Sequence, residues 1–380
     1  MSHTPNTGAL NGIRVVDLSR ILGGPLCGQI LGDHGADVLK VEPPQGDDTR
    51  AWGPPFRDDG VSSYYLGLNR NKRLMRLDLA SEAGRAALLP LLAEADVLIE
   101  NFKTGTLEKW GLGSDTLAER FPLLVHVRVS GFGADGPLGG LPGYDAALQA
   151  LNGIMSVNGE AGGAPLRVGL PVVDMVTGLN AALGVMLALH ERQRSGRGQF
   201  VEASLYDSGL SLLHPHGANW FLDGREPQRS GNAHPNIYPY DSFATGSEPI
   251  FLAVGNDRQF SILCRHLGAS ALAEDPRFAT AGARSVHREA LKTELERLLA
   301  GHACKALADA LVQAGVPCAP VLSVPQALQH PHTAHRRMVV ELPGGYKGIG
   351  APIKLGRTPA SYRFAPLTEG DEFLPNEETT

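Results

Sequence analysis

The chain has 380 residues, 43% of them hydrophobic, and a formal net charge of -6. That length exceeds what one core usually serves, so two domains are expected, and the absence of a basic surplus argues against a nucleic-acid partner. Four scattered cysteines, Cys27, Cys264, Cys304 and Cys318, without a CxxC pair, fit a reduced, cytoplasmic compartment, and the lack of an unbroken long apolar run argues against a membrane span or secretory leader.

Ile13 to Leu18 reads as a buried strand, Ser19 to Pro25 as a Gly/Pro turn, and Leu26 to His34 as a helix closed by Gly35. Ala36 to Glu42 is a second strand, stopped by Pro43 and Pro44. A helix between two buried strands favours parallel pairing through a right-handed crossover. After a loop rich in Gly, Pro and Asp, the pattern repeats: strand Leu74 to Leu79, helix Glu82 to Ala93, strand Val97 to Ile99, helix Thr106 to Arg120, strand Leu123 to Val129. The alternation predicts an open, doubly wound α/β domain.

Gly131-Phe-Gly133-Ala-Asp-Gly136 follows that strand and formally matches GxGxxG. No helix can open there, because Pro137, Gly139, Gly140, Pro142 and Gly143 come next, so it reads as a loop that lets a ligand or another backbone come close. Tyr144 to Met155 reads as a helix.

Arg167 to Gly178 is the segment around which the chain is organised. An extended apolar run, Val168 to Val173, gives way at Asp174 to a long helical period rich in small residues and ending at Ser195-Gly196. Asp174 therefore reads as a helix N-cap, and a carboxylate at a helix start is also compatible with a nucleophile. Phe200 to Tyr206 begins as a strand and turns helical.

A composition change near Gly224 opens a smaller α+β region: loop Gly231 to Phe243, strand Pro249 to Val254, helices Gln259 to Leu267, Val286 to Leu299 and Lys305 to Gly315. The expected division is 1–222, 223–323 and a return segment 324–380 that packs on the first domain, with a disordered tail from Asn376. His330, His332 and His335, and His214 with His216, lack zincin spacing and flank prolines, so no metal is expected.

Gly12-Ile-Arg-Val-Val-Asp-Leu18, Gly35-Ala-Asp-Val38, Lys40-Val-Glu42, Asn71-Lys-Arg73, Glu100-Asn-Phe102, Ser130-Gly-Phe-Gly133, Gly143-Tyr-Asp145, Asp174-Met-Val-Thr-Gly178 and Ser195-Gly-Arg-Gly-Gln199 occur in an order and spacing that resembles the class III coenzyme A transferases (CaiB/BaiF) over essentially the whole chain. The resemblance implies a large Rossmann-like domain, a smaller α+β domain and an interlocked homodimer. It implies coenzyme A or an acyl-CoA as co-substrate, a small carboxylic acid as partner substrate, and Asp174 as the nucleophile. It further implies coenzyme contacts at Ile21, Leu22 and Gly23, an adenine slot around Leu77 and Leu79, and phosphate or pantetheine contacts at Asn101, Phe102, Lys109, Tyr144 and Asp145. Compared with formyl-CoA transferase, the chain departs at Leu22, Pro43 and Ala80 and lacks a recognisable glycine-rich active-site loop, which points away from formate or oxalate.

Gly231-Asn-Ala-His234-Pro-Asn-Ile-Tyr-Pro-Tyr240, which follows Arg229, is similar to relatives that move coenzyme A between dicarboxylates, and it is the expected cover of the site. Arg229 and His234, with Tyr64, are the expected contacts of a diacid such as succinate or glutarate. Two other readings stand beside the transferase. An α-methylacyl-CoA racemase shares the fold, but such relatives carry histidine where this chain has Tyr144. A non-enzymatic coenzyme A binder or dimer scaffold would use Asp174 only as a cap.

Overall fold

The computed structural model describes residues 8–368. The described residues divide into two compact units: 8–153, 168–212 and 331–368 form the first, and 154–167 with 213–330 the second.

In the first unit, β1 (Arg14–Asp17), β2 (Asp37–Glu42), β3 (Lys72–Arg76), β4 (Val97–Glu100), β5 (Val125–Ser130) and β6 (Phe200–Ser204) form one sheet in the order β3-β2-β1-β4-β5-β6. Every pairing is parallel. Buried Val, Leu and Ile fill these strands on both faces because helices cover both. Helix α1 (Gly23–Asp33) links β1 to β2, and α2 (Glu82–Ala93) links β3 to β4. Val16, Leu39 and Leu98 share one core with Leu88 and Leu92 of α2. Helices α3 (Asp145–Leu151), α4 (Val172–Ser195) and α5 (Leu205–Ser211) follow β5 and flank β6. On the other face, Gly24 of α1 lies against Ile99, and Gly184 of α4 against Val201.

The order reverses between β1 and β4, which leaves a crevice beyond the carboxyl ends of those strands. This is the doubly wound sheet expected from the repeats. Two expected helices are interrupted by glycine. Thr106 to Arg120 divides into Thr106–Lys109 and Ser114–Arg120 around Gly111 (φ 70), and Tyr144 to Met155 divides at Gly153 (φ 82).

Helix α4 is long and apolar enough to cross a membrane by length and composition, with a mean hydropathy of 1.8, so the argument from run length excluded too much. Val173, Thr177, Ala181, Ala182, Val185 and Ala188 of this helix are nonetheless buried within the unit. Residues 331–368 belong to the first unit. Asn71 Nδ2 donates to Ser361 O (2.8 Å), Arg363 N donates to Asn71 Oδ1 (2.7 Å), and Arg70 Nη1 donates to Ile349 O (2.7 Å). The expected disordered tail lies outside the described residues.

In the second unit, β7 (Tyr240–Phe243), β8 (Ile250–Ala253) and β9 (Cys318–Pro320) form an antiparallel sheet packed with α6 (Asp257–His266), α7 (Arg288–Leu299) and α8 (Cys304–Gln313). The expected boundaries at 222 and 323 move to 212 and 330, and 154–167 joins this unit. The reason is local: Arg229 donates to Ser156 O and Gly163 O (2.9 Å each), and Gly231 N donates to Gly159 O (3.0 Å), which ties the early segment to the later one. The expected loop from Gly231 also ends early, since Tyr240 to Phe243 pair with β8.

Candidate active site

The crevice at the sheet reversal is a cleft of about 280 Å³ lying wholly within the first unit. The segment after β1 (Arg20, Ile21, Leu22, Gly23), the segment after β4 (Asn101, Phe102, Lys103, Thr104), the Gly131 and Gly140–Tyr144 loops, and Asp174 form its wall.

Buried charge sets the segment after β1. Lys40, 1% exposed, donates from Nζ to Ser19 O (2.8 Å) and to Asp47 Oδ2 (3.0 Å). Lys72, on the neighbouring strand, donates to Asp17 Oδ2 (2.9 Å) and to Pro25 O (2.7 Å) at the start of α1. Asn101 clamps the turn, accepting from Arg20 N (2.9 Å) and donating to Arg20 O (2.7 Å). Held in this way, Ile21 adopts φ 73, a left-handed conformation that a β-branched residue takes only under constraint. The first turn of α1 thereby opens on the cleft. Gly131 belongs to a close backbone crossing: a Cβ there would lie 2.7 Å from Gly143 N, so the GxGxxG stretch is a loop of close approach, as expected.

Asp174 does not cap its helix, which corrects that expectation. Helix α4 starts at Val172 behind Pro171, whose fixed φ suits a helix start, and Asp174 is the third residue of the first turn. The orphan N–H groups are met from elsewhere: Asp145 Oδ2 accepts from Val173 N (2.8 Å) and Asp174 N (3.1 Å). Among the described residues the Asp174 carboxylate makes no hydrogen bond, although it is 9% exposed and lines the cleft. Burial, with the charge of Asp145 as a smaller contribution, pushes its pKa up to about 7. Tyr64, half-buried and edge-on to Trp52, has its phenol pushed up to about 12 by burial and then by the charge of Asp174.

Ile21, Leu22, Gly23, Asn101, Phe102 and Tyr144 therefore meet Asp174 around one cleft. Others are placed differently. Leu79 is buried in the α2 core and Leu77 packs against that cluster, so neither forms an open adenine slot. Lys109 is exposed at the end of its short helix, outside the cleft wall, and Asp145 is buried with its carboxylate engaged on the first turn of α4. Arg229 and His234 lie in the second unit. Arg229 braces two carbonyls there, and His234 Nδ1 accepts from Asn236 N (3.0 Å), which places the ring proton on Nε2.

The sequence reading missed Gln149, which is buried beneath Asp145, and Arg20, Lys103 and Thr104 on the cleft wall. An acid and an amide four residues apart at a helix start was the available signal for Gln149.

A buried carboxylate thus lines a cleft at the switch point of a Rossmann-ordered sheet, where ligands of such sheets bind. Residues 10–372 match the model of CoA-transferase family III. A succinate–glutarate CoA-transferase of Agrobacterium fabrum is 40% identical over 93% of this chain and 91% of its own. An acetyl-CoA:oxalate CoA-transferase of Acetobacter aceti is 39% identical over 92% of this chain and 89% of its own. A CaiB/BaiF family protein from Brucella suis has a crystal structure that superposes with a TM-score of 0.84, at 39% identity, over 95% of this chain and 96% of that one. The chain belongs to CoA-transferase family III, and it is a CoA-transferase.

Proposed function

We propose that this enzyme moves coenzyme A from a donor thioester such as succinyl-CoA to a small dicarboxylic acid, with Asp174 as the nucleophile. The observation that carries the reading is the buried Asp174 carboxylate, free of hydrogen bonds and facing the cleft. Attack of a carboxylate oxygen on the thioester carbonyl expels coenzyme A thiolate and leaves an aspartyl acyl anhydride. The thiolate returns to the aspartyl carbonyl, releasing the donor acid and leaving an aspartyl–CoA thioester. The acceptor carboxylate then attacks that thioester, and the exchange runs in reverse to give the new acyl-CoA and free Asp174. Each step transfers one acyl group between oxygen and sulfur, so no strong acid or base is required. The N–H groups of the first turn of α1, beside the Asp174 carbonyl, suit the negative oxygen formed at each attack. Arg20 and Lys103 on the wall suit the thioester's phosphates.

Relatives named for glutarate and for oxalate support a diacid acceptor. We assign the second carboxylate to Tyr64, whose phenol feels the Asp174 charge from within the same unit. A panel of acceptor acids against succinyl-CoA, read by mass spectrometry of the new thioesters, tests this. Oxalate, succinate and glutarate should accept, and a preference for monocarboxylic acceptors contradicts the reading.

An interlocked homodimer in the cytoplasm is the assembly we infer. Leu179, Leu183 and Met186 of α4 are 42–58% exposed and form an apolar groove with Ile30, Ile353 and Leu355 that a second copy would cover. Light scattering should return twice the chain mass, and a monomer contradicts it.

A further inference from the structure

Gln149 is fully buried, and every polar atom of its side chain is engaged: Nε2 donates to Asp145 Oδ1 (2.6 Å) and to Leu170 O (3.3 Å), and Oε1 accepts from Val168 N (2.8 Å). The other oxygen of Asp145 takes the N–H groups of Val173 and Asp174. A buried amide is costly unless its partners are met, and apolar packing at this position would need only leucine. The direction of the amide is fixed as well. Turned end for end, it would set its oxygen against the Asp145 carboxylate and its NH₂ against the Val168 N–H.

We propose that Gln149 is a positioning residue for Asp174: with Asp145 it brackets both sides of Pro171 and holds the first turn of α4 where the Asp174 carboxylate meets the cleft. The inference rests on Asp174 being the reacting group. Because Asp145 occupies the N–H groups of Val173 and Asp174, the nucleophile gains no hydrogen bond from the start of its own helix, which would stabilise its charge and weaken its attack.

Reversal of the pair tests this. Asp145→Asn sets two NH₂ groups against each other, and Gln149→Glu sets two carboxylates against each other. In the double variant, the amide introduced at 145 donates to the carboxylate introduced at 149, its oxygen still accepts from Val173 and Asp174, and the new carboxylate still accepts from Val168. At Leu170 O the donor is replaced by a carboxylate oxygen, an acceptor–acceptor approach kept weak by its length of 3.3 Å.

Each single substitution should lower kcat about tenfold to a hundredfold, with KM for acyl-CoA within about twofold, because misplacement of the reacting group affects the chemical step. The double variant should recover to within about threefold of the parent enzyme. The pH profile separates positioning from mere stability. The titratable and charged groups that face Asp174 are Asp145 from α3, Tyr64, and Arg20, Asp48 and Lys103 on the cleft wall. The first turn of α1 carries no acid, β6 and α5 bring Glu202 and Asp207, and Arg128 of β5 is paired to Glu100. Removing the charge at 145 should shift the acid limb of kcat to lower pH in Asp145→Asn, whereas the double variant keeps a carboxylate in the pair, at 149, and should shift it less.

Single variants with parental kcat and acid limb would overturn the proposal. So would a double variant that folds by circular dichroism yet is no faster than the slower single. If a single variant does not fold, recovery of folding and turnover in the double still supports the proposal, and its failure counts against it. Turnover by Asp174→Ala would instead remove the nucleophile assignment itself.

Discussion

Gly178 lies against the carbonyl of Gly23 so closely that a Cβ built on it would sit 2.7 Å from that oxygen, with Leu26 at 3.1 Å. The contact joins α1 to α4 one turn from Asp174. A side chain there must displace backbone, so Gly178→Ala should cost about 1–3 kcal/mol, as overpacked cores do. It should also lower kcat by moving the nucleophile relative to the first turn of α1. Urea unfolding and steady-state kinetics check both effects, and an unchanged midpoint with unchanged kcat would refute the close contact.

Asp174→Asn should abolish transfer and stabilise the protein at alkaline pH. The folded pKa lies above the unfolded one, so between pH 3.8 and about 7 the folded state holds a proton that the unfolded chain has released, and stability falls as pH rises through that window. Removing the charge should raise stability at pH 8 by roughly 2 kcal/mol more than at pH 5, given 1.36 kcal/mol per pKa unit and a modest discount. Matched urea titrations at the two pH values read the difference. A loss at both would restore Asp174 as a structural cap.

The same carboxylate must be ionised to attack. Single-turnover acyl transfer should therefore rise with pH through about 7 and then level off, and Asp174→Glu, if it retains activity, should shift that limb. A limb below pH 5 would contradict a buried nucleophile.

Arg229→Ala should destabilise the second unit by about 1–3 kcal/mol, since Ser156 O and Gly163 O lose their donor. KM for a diacid acceptor should change less than about threefold. A large KM effect at Arg229 with unchanged stability would return that guanidinium to the substrate.

The sheet was legible because its evidence is local. Short runs rich in apolar residues between helical patterns marked the strands, and α2 was read with both ends correct, since Ser81 caps it through Gly84 N. The pairing of Asp145 with the start of α4 was not legible, because it joins residues 28 and 29 positions apart and no periodicity encodes it. The same holds for Lys40 and Lys72, whose buried partners Asp47 and Asp17 lie 7 and 55 positions away. Strand β7 was missed because Tyr240-Asp-Ser-Phe243 buries an aspartate, Asp241, which Lys292 of α7 meets at 3.2 Å. The cleft residues after β1 and β4 came from motif resemblance, and the sheet order explains why they converge.

Covalent chemistry at Asp174 is tested most directly by trapping. Enzyme incubated with acyl-CoA and hydroxylamine, digested and sequenced by mass spectrometry, should carry a hydroxamate on Asp174 and none without acyl-CoA. Full transfer activity with no modification of Asp174, or a hydroxamate on another carboxylate, would contradict it.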